Sequence, residues 1–125
     1  MNKYLIDTQV FIWWMEESGR LKKGIKDILL NPQEIIILSA ASVWEMVIKI
    51  KIGRLKLPHD WKDTLHKSRL EILPINLQHI YAVETLPLYH KDPFDRILIA
   101  QAKVEGCTLI TEDPKIKRYK IPVIG

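Results

Sequence analysis

The chain has 125 residues, 47% of them hydrophobic and 27% charged, which is typical of one ordinary globular domain and predicts a single domain over residues 1–125. Nineteen basic against 15 acidic side chains give a net charge of +4, which weakly favours an anionic partner such as nucleic acid. No signal peptide is readable, and the apolar runs are too short to cross a bilayer. The single cysteine, Cys107, excludes an intrachain disulfide. We therefore expect a cytoplasmic protein with no membrane contact.

The first half of the chain alternates apolar strand-like runs with helix-like segments. Thr8 is a candidate cap of the first helix, and Ser39 or Ser42 of the third. The predicted elements are a strand over 3–6, a helix from residue 10, a helix over 21–30, a strand over 35–38 and a helix that ends at Gly53.

The second half continues this alternation. Pro93 and Asp95 are expected to open its last helix, and Pro122 places the final strand at a sheet edge. The predicted elements are a helix through residue 65, a strand over 70–75, a helix over 77–86, a helix over 96–105 and strands over 108–111 and 121–124. Alternating strands and helices predict parallel β-α-β units, and hence an α/β fold with a three-layer α/β/α sandwich.

Four acidic residues stand near the ends of the predicted strands. Asp7 closes the first strand, Glu45 lies in the helix after the second, Asp95 lies at the start of a helix, and Asp113 follows the fourth strand. The carboxyl ends of parallel strands meet at one crevice, so these acids are expected to become neighbours in space.

Such a cluster would be strained without a counter-ion. Two carboxylates about 5 Å apart repel by roughly 3 kcal/mol at an effective dielectric near 20. Either protons are shared, which raises some pKa values, or cations bind. Oxygen ligands suit Mg²⁺ and Mn²⁺ and match zinc poorly. The chemistry implied is metal-assisted hydrolysis of a phosphodiester.

Taken singly, each acid also has an ordinary structural explanation. Asp95 beside Pro93 is a good helix N-cap, and Asp113 before Pro114 is a good turn former. The functional interpretation therefore depends on the shared placement of the four acids and on the residues around them.

Those surrounding residues resemble a known family. Four blocks carry the resemblance, in the same order and at similar separations: 4–8, 39–45, 90–102 with its Asp-Pro-Phe-Asp-Arg core, and 109–113. The chain is similar to PIN-domain proteins, and in particular to the VapC-type ribonuclease toxins of toxin-antitoxin pairs, from residue 1 to residue 125.

The resemblance implies a central, mainly parallel sheet of four or five strands and a Mg²⁺-dependent endoribonuclease, with Mn²⁺ able to substitute. It implies that Asp7, Glu45, Asp95 and Asp113 are catalytic and hold the metal, with Asp7 and Asp95 as the most direct ligands. Thr8 and Thr111 match hydroxyl positions that orient a carboxylate or water. It further implies a homodimer, an RNA substrate and a small cognate antitoxin that carries any DNA contact.

Several neighbouring residues have two interpretations each. Asp92 either supports the site or shapes the turn before Asp95. Arg96 either contacts RNA phosphate or neutralises the acidic cluster, or else it pairs with Asp92 or contacts an antitoxin. The basic side chains near the site either guide RNA or form a solvated surface; they include Lys49, Lys51 and Lys115. The four histidines (59, 66, 79 and 90) are expected to be surface or packing residues rather than catalysts. The four tryptophans (13, 14, 44 and 61) are expected to lie in the core or on a partner-binding surface, and stacking on RNA bases is the alternative.

Two other classes of α/β protein and a binding role are the alternatives to this interpretation. A haloacid-dehalogenase-type phosphatase requires a second aspartate two residues after the first, where this chain has Gln9. A response-regulator receiver requires an acidic pair at the first strand, which is also lacking. The remaining alternative is a non-catalytic PIN domain that acts as a binding or regulatory module.

Overall fold

A computed structural model describes residues 2–125; Met1, which the expected domain includes, lies outside the described residues. The core of the structure is a single sheet of five parallel strands in the order β3-β2-β1-β4-β5. The strands are β1 (Lys3–Ile6), β2 (Ile35–Ser39), β3 (Glu71–Leu73), β4 (Thr108–Ile110) and β5 (Val123–Ile124). The expected edge position of the last strand is confirmed, because β5 pairs with β4 alone.

Helices cover both faces of the sheet, so its strands are apolar on both sides. Within β1, Tyr4 and Ile6 point into one core and Leu5 into the other, because successive side chains of a strand alternate in direction. The predicted three-layer sandwich is confirmed. Its helices are α1 (Thr8–Met15), α2 (Lys23–Leu30), α3 (Ala40–Lys51) and α4 (Trp61–Lys67), which contribute to the first core, and α5 (Leu77–Val83) and α6 (Pro93–Glu105), which pack against the second.

The helix starts differ from the sequence prediction at two places. Asp7, not Thr8, caps α1: its Oδ1 accepts a hydrogen bond from the Val10 N–H at 2.8 Å. Asp92, not Asp95, caps α6, and its Oδ1 accepts from the N–H groups of Phe94 and Asp95. Both corrections have one cause, since the residue just before the first helical turn is the one whose side chain reaches the free N–H groups.

The other helix ends follow the sequence more closely. Ser39 caps α3 by accepting from the Ala41 N–H at 3.0 Å, which decides between the two serines. Gly106 ends α6 with φ of 68°, a left-handed conformation that glycine adopts without strain. No helix within residues 2–125 is both long enough and apolar enough to span a membrane.

The strand order determines where a ligand site can form. The chain runs outward from β1 through β2 to β3, and then returns to the other side of β1 to form β4 and β5. The order therefore reverses between β1 and β4, and in open α/β sheets such a reversal leaves a crevice at the carboxyl ends of the two strands. Asp7 directly follows β1, and Thr111 directly follows β4.

Candidate active site

An open crevice of about 370 Å³ lies at this reversal point. Its lining combines the residue after β1, the first turns of α1, one face of α3, the start of α6 and the loop after β4. All four acids predicted from the sequence line it. The lining residues are Asp7, Thr8, Gln9, Val10, Ile12, Trp13, Glu45, Lys49, Asp92, Asp95, Glu112 and Asp113.

Asp7 is held by hydrogen bonds to both carboxylate oxygens. While Oδ1 caps α1, Oδ2 accepts from the Thr111 hydroxyl at 2.5 Å. Because Asp7 is buried and both of its oxygens are fixed, the carboxylate has one orientation relative to the crevice.

Glu45 reaches the crevice from the buried face of α3. Its Oε1 accepts from the Thr8 hydroxyl at 2.7 Å, and its Oε2 pairs with the Lys49 ammonium, one helical turn later, at 2.8 Å. Thr8 and Thr111 therefore each orient one acid, as expected of the hydroxyls beside such a site. Lys49 supplies the positive charge closest to Glu45.

Asp95 and Asp113 form the more open part of the crevice. Asp95 lies in the first turn of α6, directly after the cap formed by Asp92. Asp113 is placed by the loop after β4: its N–H donates to the Thr111 hydroxyl at 3.1 Å, and its Oδ1 accepts from the Lys115 N–H at 2.9 Å. Thr111 therefore connects Asp113 to Asp7.

The crowded acids change the titration of two carboxyls. Burial and, to a smaller extent, the negative charges of Asp92, Asp113, Glu45 and Asp7 together raise the pKa of Asp95 from 3.8 to about 7. Burial also raises the pKa of Asp7 to about 6, against the lowering effect of its hydrogen bonds from Thr111 and Val10. These shifts have the direction that the charge-repulsion argument predicts.

One histidine joins the acids. A ring nitrogen of His90 and one carboxylate oxygen each from Asp95 and Asp113 all lie within 4.8 Å of one another. The sequence interpretation treated every histidine as a packing or surface residue, and it missed this one. The only signal was its position five residues before Asp95, because its hydrogen-bond partner, Tyr119, comes from the far end of the chain.

Arg96 does not have the role suggested for it. Its side chain is turned into the protein and the residue is only 9% exposed. The guanidinium donates to the carbonyl oxygens of Pro87, Val83 and Leu86 and to the Tyr119 hydroxyl. The suggested contact with RNA phosphate or with an antitoxin is therefore corrected to a structural role, since the guanidinium joins the end of α5 and the loop that follows it to Tyr119.

The remaining candidates lie at different distances from the crevice. Lys49 lines it, whereas Lys51 and Lys115 are exposed and lie outside its lining. Trp61 is buried, and Trp44 is 58% exposed with its ring edge-to-face on Phe94. His79 is buried, with Nε2 2.8 Å from Glu105 Oε2, and His59 and His66 are exposed.

The donor set fits a divalent cation. Six carboxylates line the crevice, the four predicted acids together with Asp92 and Glu112; two of the six have raised pKa values, and Lys49 is the one cation among the lining residues. The buried His90 Nε2 has no hydrogen-bond partner within residues 2–125, so it remains available as a donor atom. Hard oxygen donors with a single ring nitrogen suit Mg²⁺, Mn²⁺ or a related ion.

Comparisons with known proteins agree with this fold. Ribonuclease VapC22 of Mycobacterium tuberculosis (strain ATCC 25618 / H37Rv) is 23% identical over 125 residues, which cover 98% of this chain and 95% of that protein. The structure of VapBC2 from Rickettsia felis bound to a DNA fragment from their promoter superposes with a TM-score of 0.76 at 18% identity, covering 98% of this chain and 97% of that chain. The structure of DNA-bound VapBC from Salmonella typhimurium superposes with a TM-score of 0.71 at 17% identity, covering 99% of this chain and 98% of that chain.

The family itself is identified by the match of its sequence model. The model described as PIN domain matches residues 4–122, which include all four acids and the two threonines that orient them. The match covers β1 from its second residue and all of β2, β3 and β4, and it ends just before β5. The chain therefore belongs to the PIN domain family.

Proposed function

We propose that this protein is a divalent-metal-dependent endoribonuclease that hydrolyses RNA phosphodiester bonds, and that it is the toxin of a toxin-antitoxin pair. The observation that carries the proposal is the crevice at the strand-order reversal, where Asp7, Glu45, Asp95 and Asp113 converge with a single lysine to offset them. Membership of the PIN domain family and similarity to Ribonuclease VapC22 support the choice of RNA as substrate.

We assign the catalytic and metal-holding roles to these four acids. Asp95 and Asp113 present the more open carboxylates, while Asp7 is fixed from both sides and Glu45 is already paired with Lys49. Thr8 and Thr111 keep Glu45 and Asp7 in one orientation, and Asp92 keeps the first turn of α6, and with it Asp95, in place.

A bound Mg²⁺ or Mn²⁺ would lower the pKa of an attacking water and neutralise the charge that develops on the phosphodiester. The chain's own contribution is to fix the acids before substrate arrives. The crevice is open on one side, which suits a single RNA strand, and Lys49 at its wall is the lysine best placed to meet a phosphate. Lys51 and Lys115 would act farther out.

We also propose the partners. The neighbouring structures contain VapBC complexes, two of them bound to DNA, and this supports a small cognate antitoxin that carries the DNA contact. A homodimer agrees with the exposed Trp44 beside Phe94, since large exposed apolar side chains often mark an interface. We propose one domain over residues 1–125 and a cytoplasmic location, which the buried free thiol of Cys107 fits.

The deciding experiment measures cleavage of total cellular RNA, which contains transfer, ribosomal and messenger RNA, by purified protein in Mg²⁺, Mn²⁺ or EDTA. Wild type should cleave with either ion and not in EDTA. Asp95→Asn should lose activity by about 100-fold or more, because it removes a carboxylate from the cation site. Asp63→Asn, an exposed acid of α4 outside the crevice, is the matched control and should retain activity.

Two outcomes would overturn the proposal. Cleavage that persists in EDTA, or in a folded Asp95→Asn protein, would remove the metal mechanism. The other outcome is that the wild type forms a complex with an antitoxin and yet cleaves no RNA under any of these conditions. That result would assign the chain to the alternative class, a non-catalytic PIN domain that acts as a binding module.

A further inference from the structure

The imidazole of His90 is buried against two of the crevice acids and has an unused nitrogen. Its side chain is 6% exposed, and Nε2 lies 3.4 Å from Asp95 Oδ2. This separation lacks hydrogen-bond geometry, so Nε2 is buried without a partner within residues 2–125. A buried polar atom with no partner costs free energy, and a ligand bound at that point would remove the cost.

The distances around Nε2 suit a shared cation. Donor atoms that lie about 2.1 Å from one ion are roughly 3 to 4 Å apart from each other. The His90–Asp95 separation already falls in this range, and the donor atoms of His90, Asp95 and Asp113 all lie within 4.8 Å of one another.

The second ring nitrogen of His90 has a hydroxyl partner, and the direction of that hydrogen bond depends on the tautomer of the ring. Nδ1 lies 2.9 Å from the Tyr119 hydroxyl, which in turn accepts a hydrogen bond from Arg96 at 3.1 Å. When Nδ1 carries the proton and donates it to Tyr119, the lone pair of Nε2 faces Asp95 and is free to bind a metal ion. Metal-binding histidines commonly have such a partner on the other nitrogen.

We propose that His90 Nε2 is a nitrogen ligand of a cation subsite completed by Asp95 and Asp113, and that it makes the site prefer first-row transition ions such as Mn²⁺ or Co²⁺ over Mg²⁺. The inference rests on the proposed metal-dependent function and refines its metal site. Imidazole binds transition ions better than it binds Mg²⁺, which prefers oxygen. The all-oxygen site expected from the sequence thereby becomes a mixed nitrogen and oxygen site.

The first test reads nitrogen ligation directly. Mn²⁺ is bound to wild-type protein without RNA, and pulsed electron paramagnetic resonance records the modulation from nearby nitrogen nuclei, with natural-abundance protein compared with protein labelled with ¹⁵N in its histidines only. We expect nitrogen modulation that changes with the label. It should disappear in His90→Gln and remain in His59→Gln, whose side chain is exposed and does not line the crevice. Bound Mn²⁺ with no histidine nitrogen signal in the wild type overturns the inference without any variant.

The second test reads ion preference by equilibrium binding of Mg²⁺, Mn²⁺ and Co²⁺. His90→Gln should lower the affinity for Mn²⁺ and Co²⁺ by about tenfold or more and the affinity for Mg²⁺ much less, because the transition ions depend most on the lost nitrogen donor. A histidine that only positions Asp95 would instead weaken all three ions by the same factor, and that result would overturn the ligand role.

The outcomes also separate this inference from the proposed function. Mn²⁺-dependent RNA cleavage by wild type without a histidine nitrogen signal would leave the nuclease function intact and remove His90 as a ligand. Cleavage in EDTA would remove the metal mechanism itself, whatever the spectrum shows.

Discussion

The Thr111 hydroxyl donates a hydrogen bond of 2.5 Å to Asp7 Oδ2, joining residues 104 positions apart at the ends of the adjacent strands β4 and β1. The same hydroxyl accepts from the Asp113 N–H. One threonine therefore sets the orientation of one acid and the backbone position of another. Its place directly after β4 lets it do this, because β4 pairs with β1 in parallel and their carboxyl ends are adjacent.

Thr111→Val should raise the pKa of Asp7 above its value of about 6, because the hydrogen bond from Thr111 lowers that pKa in the wild type. The acidic limb of the pH-rate profile for RNA cleavage should therefore move to higher pH, with a loss of about tenfold at acidic pH and a smaller loss under alkaline conditions. Thr85→Val, an exposed threonine that donates only to the Ala82 carbonyl, is the control. An unchanged profile would show that this hydrogen bond does not tune Asp7.

Lys49→Met should destabilise the metal-free protein by about 1 kcal/mol, because Glu45 loses a cation at 2.8 Å while remaining buried. The same change should increase the rise in melting temperature on adding Mn²⁺, since the ion then offsets more uncompensated negative charge. Lys51→Met is the matched control, on the same helix but outside the crevice. Equal responses of the two variants in thermal unfolding would contradict the role of Lys49.

In EDTA, the free energy of unfolding should fall as the pH rises from about 4 to about 7. Asp95, with a pKa of about 7 when folded and 3.8 otherwise, binds more protons in the folded state across this window, and Asp7 does so up to about pH 6. Raised carboxyl pKa values therefore make the folded state lose stability as the pH rises, and the loss is complete above the folded pKa.

Asp95→Asn should remove most of that slope, and in EDTA at about pH 8 it should be about 1–2 kcal/mol more stable than wild type. The expected gain is smaller than the free energy that the whole difference between the folded and unfolded pKa values of Asp95 would give, because its side chain is 22% exposed and partly screened by solvent. Chemical denaturation across the pH range measures both effects. A variant less stable than wild type under these conditions would mean that the carboxylate supports the fold.

Arg96→Met should destabilise the protein by about 2–4 kcal/mol, because three carbonyl oxygens and the Tyr119 hydroxyl lose their donor in a buried position. Arg54→Met, at an exposed arginine, should have almost no effect. Urea denaturation compares the two. If Arg96→Met folds with wild-type stability and instead loses RNA affinity, the suggestion from the sequence was correct and the structural role is wrong.

Local sequence patterns were sufficient to predict the helices and strands, but they were insufficient to predict which residue caps each helix. The apolar run at 35–38 and the helix at 96–105 are confirmed within a few residues, because burial periodicity and the proline and glycine signals are local. The caps of α1 and α6 were predicted one residue late and three residues late, because several acidic and hydroxyl residues stand at each helix start and only the backbone direction selects one.

The sequence by itself determined the sandwich, the family resemblance and the four acids that converge, because apolar periodicity and strand-end position are written into the order of residues. The tertiary structure alone decided how those acids differ and what accompanies them. It pairs Glu45 with Lys49, ties Asp7 to Thr111 and brings His90 beside Asp95. The last two contacts depend on Thr111 and on Tyr119, which orients His90. Thr111 and Tyr119 are brought near the acids by the order of the strands and the path of the loops, and no local sequence pattern encodes either of these.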